Sequence, residues 1–361
     1  MIRIVIIILT CLMLSGCVQQ RILDQVQSVH SVAFDYVDDD SVKGTLTMPK
    51  FNPDKTVDIS VFQKVSPSNE SFRLSANSAS PKAITSGQAR VALFGQELAE
   101  NGVVHTINTL YRDPSVGTRL YLAVTEGKAG KFLEKSYPLA DSPSLYISDL
   151  IKQNINGDNL PRTDLHYFVN QYYDPFQDPF LPLLKLSEDK VNVVGLAIFD
   201  GYKYVGKINM HQAYVFKSML HDSDSGKYPI KFGDYSRPNT AVVETLESKR
   251  KRKVKMTSGT PVFDITIKIR GKINENIKDI NLKDPKTIKK VEKEMEDSVK
   301  KNGLNMLKVL QEKHVDPLGF GSDLKHQVRG IDSSEWRDEL YSRAQFNIHV
   351  KVNIVQTGIT E

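Results

Sequence analysis

The chain has little cysteine: its 361 residues include only Cys11 and Cys17. Both lie near the amino terminus, so the sequence beyond residue 17 carries no thiol for catalysis, for metal binding or for a disulfide bond. The body that follows must therefore be stabilised by packing and by non-covalent polar contacts.

A large excess of one charge is also lacking. The net charge is +5 over 361 residues, which is too small to indicate a nucleic-acid partner. With 40% hydrophobic and 25% charged residues, the composition is that of a folded protein. The one strong basic run covers residues 248–255. We expect it to be a solvated or edge-protecting part of a strand, and an approach to anionic lipid headgroups is the alternative.

Familiar catalytic and metal-binding motifs are missing too. The sequence contains no Gly-x-Ser-x-Gly elbow and no His-Glu-x-x-His pair, and its eight histidines stand singly. The stretch 127–131 (Gly-Lys-Ala-Gly-Lys) resembles a phosphate loop only faintly, because it lacks the spacing and the Ser or Thr after the lysine. It is predicted to be a turn that enters a helix. The sequence thus predicts no catalytic residue, no metal ligand and no cofactor.

The amino terminus carries a clear signal. Arg3 is followed by the apolar stretch 4–14 and then by small residues, which is typical of a secretory signal peptide. A membrane-spanning helix needs about 20 apolar residues, and polar residues end this run well before that length.

The cysteine that follows this apolar run distinguishes the segment from an ordinary secretory signal peptide. Leu14-Ser15-Gly16-Cys17 resembles the bacterial lipobox, in which the chain is cut before the cysteine and the thiol carries diacylglycerol. We therefore predict a lipoprotein signal peptide over 1–16 and a lipidated tether over 17–28, with Cys17 as the lipidation site and N-acylation of its amino group left open. A plain signal peptide with a chance cysteine is the alternative.

Alternating apolar residues predict strands in the first and last thirds of the chain. Between 29 and 62 three such runs suggest an antiparallel meander, whereas the Ser-, Asn- and Pro-rich stretch 66–90 is predicted to be a loop. The aromatic and proline cluster at 167–182 is expected to be a rigid loop folded onto a core, with a ligand groove as the alternative. A hairpin is predicted around Asp200-Gly201.

The last third is the clearest part. Runs at 242–256, 262–273 and 346–354 alternate, and Asp284-Pro285 is a typical start for the long amphipathic helix that follows. The sequence therefore predicts an α+β fold, with antiparallel sheets flanked by helices in two to three subdomains and the long helix over the carboxyl-terminal sheet. The expected division is an α+β domain over 29–184, a small middle subdomain over 185–233 and an α+β domain over 234–361.

An ordered set of short stretches carries a family resemblance. The set comprises, in order, Ser31-Val32-Ala33-Phe34-Asp35, the stretch 93–102, Arg112-Asp113-Pro114, the stretch 195–199, Val205-Gly206, Glu275, Asp316-Pro317-Leu318-Gly319-Phe320-Gly321, Trp336 and the final strand with Gly358. Behind a lipobox, this set resembles the Ger(x)C lipoproteins, the C subunits of nutrient germinant receptors in endospore-forming bacteria.

The resemblance implies a function. It implies a non-enzymatic α+β body of three subdomains, anchored through Cys17 on the outer face of the spore inner membrane. The partners that it implies are an integral-membrane A subunit and an integral-membrane B subunit, with which nutrients trigger germination. A solute-binding lipoprotein of a transporter is the alternative, and a surface hydrolase ranks last because no catalytic motif is present.

Overall fold

The computed structural model describes residues 26–52, 54, 56–157, 159–188, 190–232, 239–277 and 284–357. The predicted signal peptide, Cys17, most of the tether and Gly358 lie outside the described residues. Among the residues that are described, no helix is both long enough and apolar enough to cross a membrane.

The described strands and helices are interspersed along the chain. The strands are β1 (Val26–Ser28), β2 (Ser31–Asp38), β3 (Ser41–Phe51), β4 (Val57–Ser66), β5 (Ala83–Thr85), β6 (Val91–Gly95), β7 (Tyr121–Thr125), β8 (Phe180–Ser187), β9 (Lys190–Asp200), β10 (Lys203–Asn209), β11 (Lys227–Phe232), β12 (Asn239–Thr257), β13 (Thr260–Ile277) and β14 (Gln345–Thr357). The helices are α1 (Asn69–Ala79), α2 (Gln96–Asn101), α3 (Val104–Arg112), α4 (Gly130–Glu134), α5 (Pro143–Asn156), α6 (Leu165–Tyr173), α7 (Met210–Leu220), α8 (Pro285–Glu312), α9 (Phe320–Gln327), α10 (Ser333–Glu335) and α11 (Tyr341–Arg343), with a π-helical turn at Trp336–Leu340.

The larger sheet has the order β10-β9-β8-β7-β6-β2-β3-β4. Its central neighbours β2, β6, β7 and β8 pair in parallel, while the outer pairs are antiparallel. Helices connect β6 to β7 and β7 to β8, as parallel pairing requires. The predicted meander is confirmed for β2–β3–β4, and the hairpin at Asp200-Gly201 is confirmed as β9–β10. The expectation of antiparallel pairing throughout was wrong for the centre of this sheet.

Both faces of the larger sheet are covered. Ala92 and Phe94 of β6 point into one apolar layer beneath α1, α2, α3 and α6, whereas Val91 and Leu93 point into another beneath α4 and α5. All five residues of β6 are buried. A strand buried on both faces has apolar residues at successive positions. For this reason the sequence of β6 does not alternate between apolar and polar residues.

The prediction of a loop over 66–90 was wrong. Helix α1 occupies Asn69–Ala79 and begins at Ser68, whose side chain accepts a hydrogen bond from the backbone N–H of Ser71 at 3.1 Å. Phe72 and Ala76, one turn apart, are buried. The polar composition did not indicate the helix, because only this narrow apolar stripe contacts the sheet. There the Phe72 ring lies against the backbone of Gly44.

The smaller sheet has the order β11-β12-β13-β14. Strands β12 and β13 form a hairpin whose turn residues Ser258 and Gly259 have φ angles of 50° and 77°, the left-handed conformation of a type I′ turn. Strand β14 pairs with β13 in parallel rather than antiparallel, because α8 and the helices after it form the crossover between them. With this mixture of sheets and helices the α+β class is confirmed.

Helix α8 packs along β14, as the sequence predicted. Its start follows the predicted cap, since the Asp284 side chain accepts from the Lys286 N–H at 3.0 Å. The carboxylates of Glu292 and Glu296 accept from the backbone N–H groups of Ile354 (2.8 Å) and Val352 (3.0 Å). These two glutamates satisfy two backbone N–H groups on the free edge of β14, which would otherwise be available to another strand.

The predicted division at 29–184, 185–233 and 234–361 stays a prediction. The larger sheet continues through the first boundary, because β8 spans Phe180–Ser187 and pairs with β9. Helix α7 packs in the same apolar cluster as the smaller sheet, with Val215 and Phe216 beside Ile265 and Ile267.

Replacing Val299 with Asp should lower the free energy of unfolding by several kcal/mol. Val299 has no exposed surface and lies on the α8 stripe, so the variant buries a carboxylate without a partner. Lys300→Asp, at the next and exposed position, is the matched control and should change stability little. Equal melting temperatures for the two variants would contradict this packing.

Candidate functional site

Residues of the resembling stretches meet at the carboxyl ends of β2, β6 and β7. Asp35 ends the apolar part of β2, and its buried carboxylate accepts from the backbone N–H groups of Ala129 (2.6 Å) and Gly130 (2.9 Å). The backbone N–H of Gln96 donates to the carbonyl of Gly127 at 3.3 Å. We call Asp35, Gly95, Gly127, Ala129 and Gly130 the strand-end cluster.

The carboxylate of Asp35 explains why two positions of this cluster, 95 and 130, are occupied by glycine. A Cβ atom on Gly95 would lie 2.2 Å from Asp35 Oδ1. A Cβ atom on Gly130 would lie 3.2 Å from Asp35 Oδ2 and 2.8 Å from Thr45 Oγ1. No side chain fits at either place without moving the carboxylate, so the three residues form one unit.

The strand-end cluster has the position at which parallel sheets often bind ligands. A cleft opens there, but Lys128 crosses it: its Nζ lies 3.0 Å from Glu97 Oε2 and donates to the Tyr36 carbonyl at 2.9 Å. The Asp35 carboxylate already accepts hydrogen bonds from the backbone N–H groups that a bound phosphate would need. The prediction that 127–131 is a turn entering a helix is confirmed, because α4 begins at Gly130.

A second cluster joins two distant parts of the chain. The backbone N–H of Asp316 donates to Asp178 Oδ2 at 2.7 Å, and the N–H of Asp178 donates to the Asp316 carbonyl at 3.1 Å. Arg337 Nη1 donates to Asp178 Oδ1 at 3.0 Å, and the N–H of Gly321 donates to Asp316 Oδ2 at 2.8 Å. We call Asp178 and Asp316 the aspartate pair.

Burial dominates the electrostatics of the aspartate pair. It raises the pKa of Asp316 to about 7 and raises the pKa of Asp178, although Arg337 and backbone donors oppose the shift at Asp178. Close to the pair, Trp336 packs so tightly on Gly321 that a Cβ atom there would lie 2.5 Å from the indole nitrogen. The cluster is a buried contact between two segments, and its Asp316 carboxyl group changes protonation near pH 7.

The basic run 248–255 divides between two faces of β12. Lys249, Lys251, Lys253 and Lys255 are exposed, as predicted for a solvated strand. Arg252 departs from that prediction: its side chain is 9% exposed, its Nε lies 2.8 Å from Asp323 Oδ2, and its Nη1 donates to the Leu318 carbonyl at 2.7 Å. Alternation along the strand turns this arginine inward because successive side chains point to opposite faces.

Potential metal ligands and catalytic bases are dispersed over the described part of the chain. Within the described ranges, no three His, Cys, Asp or Glu side chains lie close enough to hold a metal ion. The histidine side chains with hydrogen bonds contact Gln88, Asn170 and the Ser322 carbonyl, rather than a nucleophile or a carboxylate. The prediction of a rigid loop over 167–182 was wrong for most of this segment, because 167–173 belong to α6 and 180–182 belong to β8. Only 174–179 connect the two elements, and Phe176 in this connection is buried.

Comparison with known families covers nearly the whole chain. Residues 19–186 match the family described as spore germination protein N-terminal domain, and residues 194–358 match the family described as spore germination B3/GerAC like, C-terminal. The chain belongs to the Ger(x)C family of spore germination proteins. The resemblance stated from the sequence is thereby confirmed.

Individual relatives of the chain support the same family. Spore germination protein GerQC of Bacillus cereus is 29% identical over 360 residues, which is 99% of each chain. Putative spore germination protein YfkR of Bacillus subtilis (strain 168) is 20% identical over 289 residues, covering 77% of this chain and 73% of that protein. The crystal structure of the GerBC protein has a TM-score of 0.61 at 19% identity, covering 90% of this chain and 96% of the other, which supports a shared fold.

The sequence identified only part of each cluster. It singled out Asp35, the Gly95 stretch, the Asp316–Gly321 stretch and Trp336, but it missed Asp178, Arg337 and the inward role of Arg252. Strand alternation within 248–255 was the available signal for Arg252. Asp178 and Arg337 carry no local signal, because their partners lie 138 and 159 residues away in the chain.

Replacing Gly95 with Ala should destabilise the protein by about 1–3 kcal/mol, because the new methyl group overlaps the Asp35 carboxylate. The measurement is thermal or urea unfolding. Gly117→Ala is the matched control, since nothing lies within 4 Å of a Cβ atom there, and it should leave stability unchanged or slightly raised. A cost as large at Gly117 as at Gly95 would contradict the role of the carboxylate.

Stability should fall as pH rises from 6.5 to 8. Folded Asp316 loses its proton around pH 7, whereas an unfolded aspartate has already lost it near pH 4. The folded state therefore binds the extra proton up to about pH 7, and the last part of this stabilisation is lost between pH 6.5 and 8. The expected decrease is about 1 kcal/mol. Asp316→Asn still accepts from Gly321 but does not titrate, so urea unfolding at both pH values should show a flatter dependence. Parallel curves for both proteins would contradict the raised pKa.

Proposed function

We propose that this chain is the non-catalytic, lipid-anchored C subunit of a germinant receptor complex on the outer face of the spore inner membrane. The observation that carries the proposal is the match of both Ger(x)C domains, in order, behind the lipobox-like Leu14-Ser15-Gly16-Cys17. A relative that is 29% identical over 99% of each chain and is itself a spore germination protein supports it.

The non-catalytic role is supported by what the polar clusters do. The carboxylate of Asp35 is used by backbone N–H groups, and the aspartate pair is used by Arg337 and the backbone. A hydrolase needs a nucleophile or activated water beside a base in an open pocket. Both clusters instead join parts of the fold to each other.

The proposed anchor is the diacylglyceryl group on Cys17. Two acyl chains hold a protein on a bilayer much more firmly than one, at about 0.8 kcal/mol per buried methylene. From Cys17 to Val26, where the described structure begins, nine residues span at most about 32 Å. The folded body would therefore stay next to the membrane, together with the integral-membrane A and B subunits that we propose as its partners.

The alternative of a solute-binding lipoprotein gains little support. Such proteins usually have two α/β lobes built on parallel sheets. The larger sheet has a parallel centre, but the smaller sheet is built around the long antiparallel hairpin β12–β13. The matched families and relatives are all described as spore germination proteins.

Tagged protein captured from dormant-spore membranes in mild detergent should carry a diacylglyceryl mass on Cys17 and bring two multispanning proteins with it. Mass spectrometry of the captured material measures both. A lipidated protein recovered mainly from growing cells, alone or with a permease, would contradict the receptor proposal.

Two cysteine variants sharpen the same experiment. Cys17→Ser removes the proposed acylation site, so the diacylglyceryl mass should disappear and recovery in the membrane fraction should fall. Cys11→Ser is the matched control, because Cys11 lies within the predicted signal peptide and is cut away. Equal membrane recovery and equal mass for both variants would contradict lipidation at Cys17.

A further inference from the structure

The outer face of the smaller sheet is basic. We call this set the basic face, and it consists of Lys249, Lys251, Lys253 and Lys255 on β12, Lys268 and Arg270 on β13, and Lys351 on β14. All of these side chains are exposed. The opposite face of the same strands is buried, with Ile265, Ile267 and Ile348 in the apolar cluster that includes α8. The basic face is thus one side of a sheet that has no helix of the described chain over it.

Strand register places like charges directly opposite each other. Lys249 pairs with Lys268 across β12 and β13, and Lys268 pairs with Lys351 across β13 and β14. Side chains in such positions have Cβ atoms about 5 Å apart, and like charges there are destabilising. A row of three lysines therefore works against the fold unless something anionic lies over it.

Acidic groups within the described residues neutralise the basic face only in part. Glu247 is shared between Lys249 (2.8 Å) and Arg270 (3.8 Å), and Glu296 lies 3.9 Å from Lys351. On the same face Asp264 stands opposite Lys253, and its carboxylate accepts from Asn347 instead of forming an ion pair. Among the residues described, Lys251, Lys253, Lys255 and Lys268 form no ion pair.

The exposed face of α8 shows a different arrangement on the same molecule. Lys293 is paired with Asp297 at 2.9 Å, and Lys308 lies 3.8 Å from Glu312. Such mixed charge is sufficient to keep an exposed surface soluble. The excess of positive charge on the basic face therefore favours a partner of opposite charge.

We infer that the basic face binds the anionic phospholipid surface of the membrane. Lysines on one face of a strand repeat about every 7 Å and neighbouring strands lie about 5 Å apart, which presents a broad, nearly flat array to headgroups. Each basic side chain near such a surface strengthens binding about fivefold. The assignment to lipid, rather than to another polyanion, rests on the proposed membrane anchor at Cys17, whose short tether would hold the folded body next to the bilayer.

Vesicle binding without the anchor tests the inference. The chain from residue 17 onward, carrying Cys17→Ser so that no acyl chain contributes, is mixed with vesicles of equal parts phosphatidylglycerol and phosphatidylcholine or of phosphatidylcholine alone. We expect cosedimentation with the anionic vesicles only, weakening as salt rises because exposed charges are screened. No binding to anionic vesicles at low salt would overturn the inference and leave the receptor proposal untouched.

Matched variants separate the basic face from net charge. Lys251→Gln, Lys253→Gln and Lys255→Gln together should weaken binding about a hundredfold. The control carries Lys286→Gln, Lys289→Gln and Lys300→Gln, which remove the same charge from exposed positions of α8. Equal losses in the two triple variants would overturn the inference, as would binding to soluble polyaspartate without binding to vesicles.

A single variant excludes misfolding as the cause. Lys268→Glu places a negative charge between Lys249 and Lys351, so the melting temperature should rise as the repulsive row becomes attractive. Anionic vesicle binding should fall at the same time, by more than the fivefold expected for losing one lysine. Unchanged vesicle binding by this variant would overturn the inference.

Discussion

The hydrogen bonds that Asp178 and Asp316 exchange join the larger sheet of this protein to the smaller one, beside the apolar cluster that both sheets share. Asp178 lies just before β8 of the larger sheet, and Asp316 lies just before α9, which packs against β12 of the smaller sheet. Around this joint Phe180 and Phe320 are fully buried. Since removing either carboxylate would leave buried donors without partners, the relative position of the sheets depends on this pair.

Carboxylates and lysines of this molecule lie in different places and have different roles. Buried carboxylates are used inside, where Asp35 holds a loop and the aspartate pair joins two segments. The half-buried Asp323 neutralises Arg252. The exposed lysines of β12 remain outside and are balanced only in part. Binding to a membrane surface would make use of that imbalance, and together with a lipid anchor it would fix which side of the body faces the bilayer.

Much of the fold could be predicted because apolar periodicity is local. It indicated the long helix α8 with its Asp284 cap, the β12–β13 hairpin and the α+β class. It failed at α1, where only Phe72 and Ala76 mark the buried stripe in a polar segment, and at β14, whose direction relative to β13 no local pattern encodes. For the site, glycine and aspartate motifs were visible, but their mutual contacts were not.

The sequence by itself determined the family, the lipobox-like motif at Cys17 and the exclusion of thiol chemistry from the body, because each depends only on residue identity and order. The tertiary structure alone decided that Asp178 meets Asp316, that Arg252 pairs with Asp323, and that Lys249, Lys268 and Lys351 form one row. The physical reason is that these contacts join residues far apart in the chain. They are set by strand register and by the packing of α8 and α9 on the smaller sheet, and no local sequence pattern specifies either.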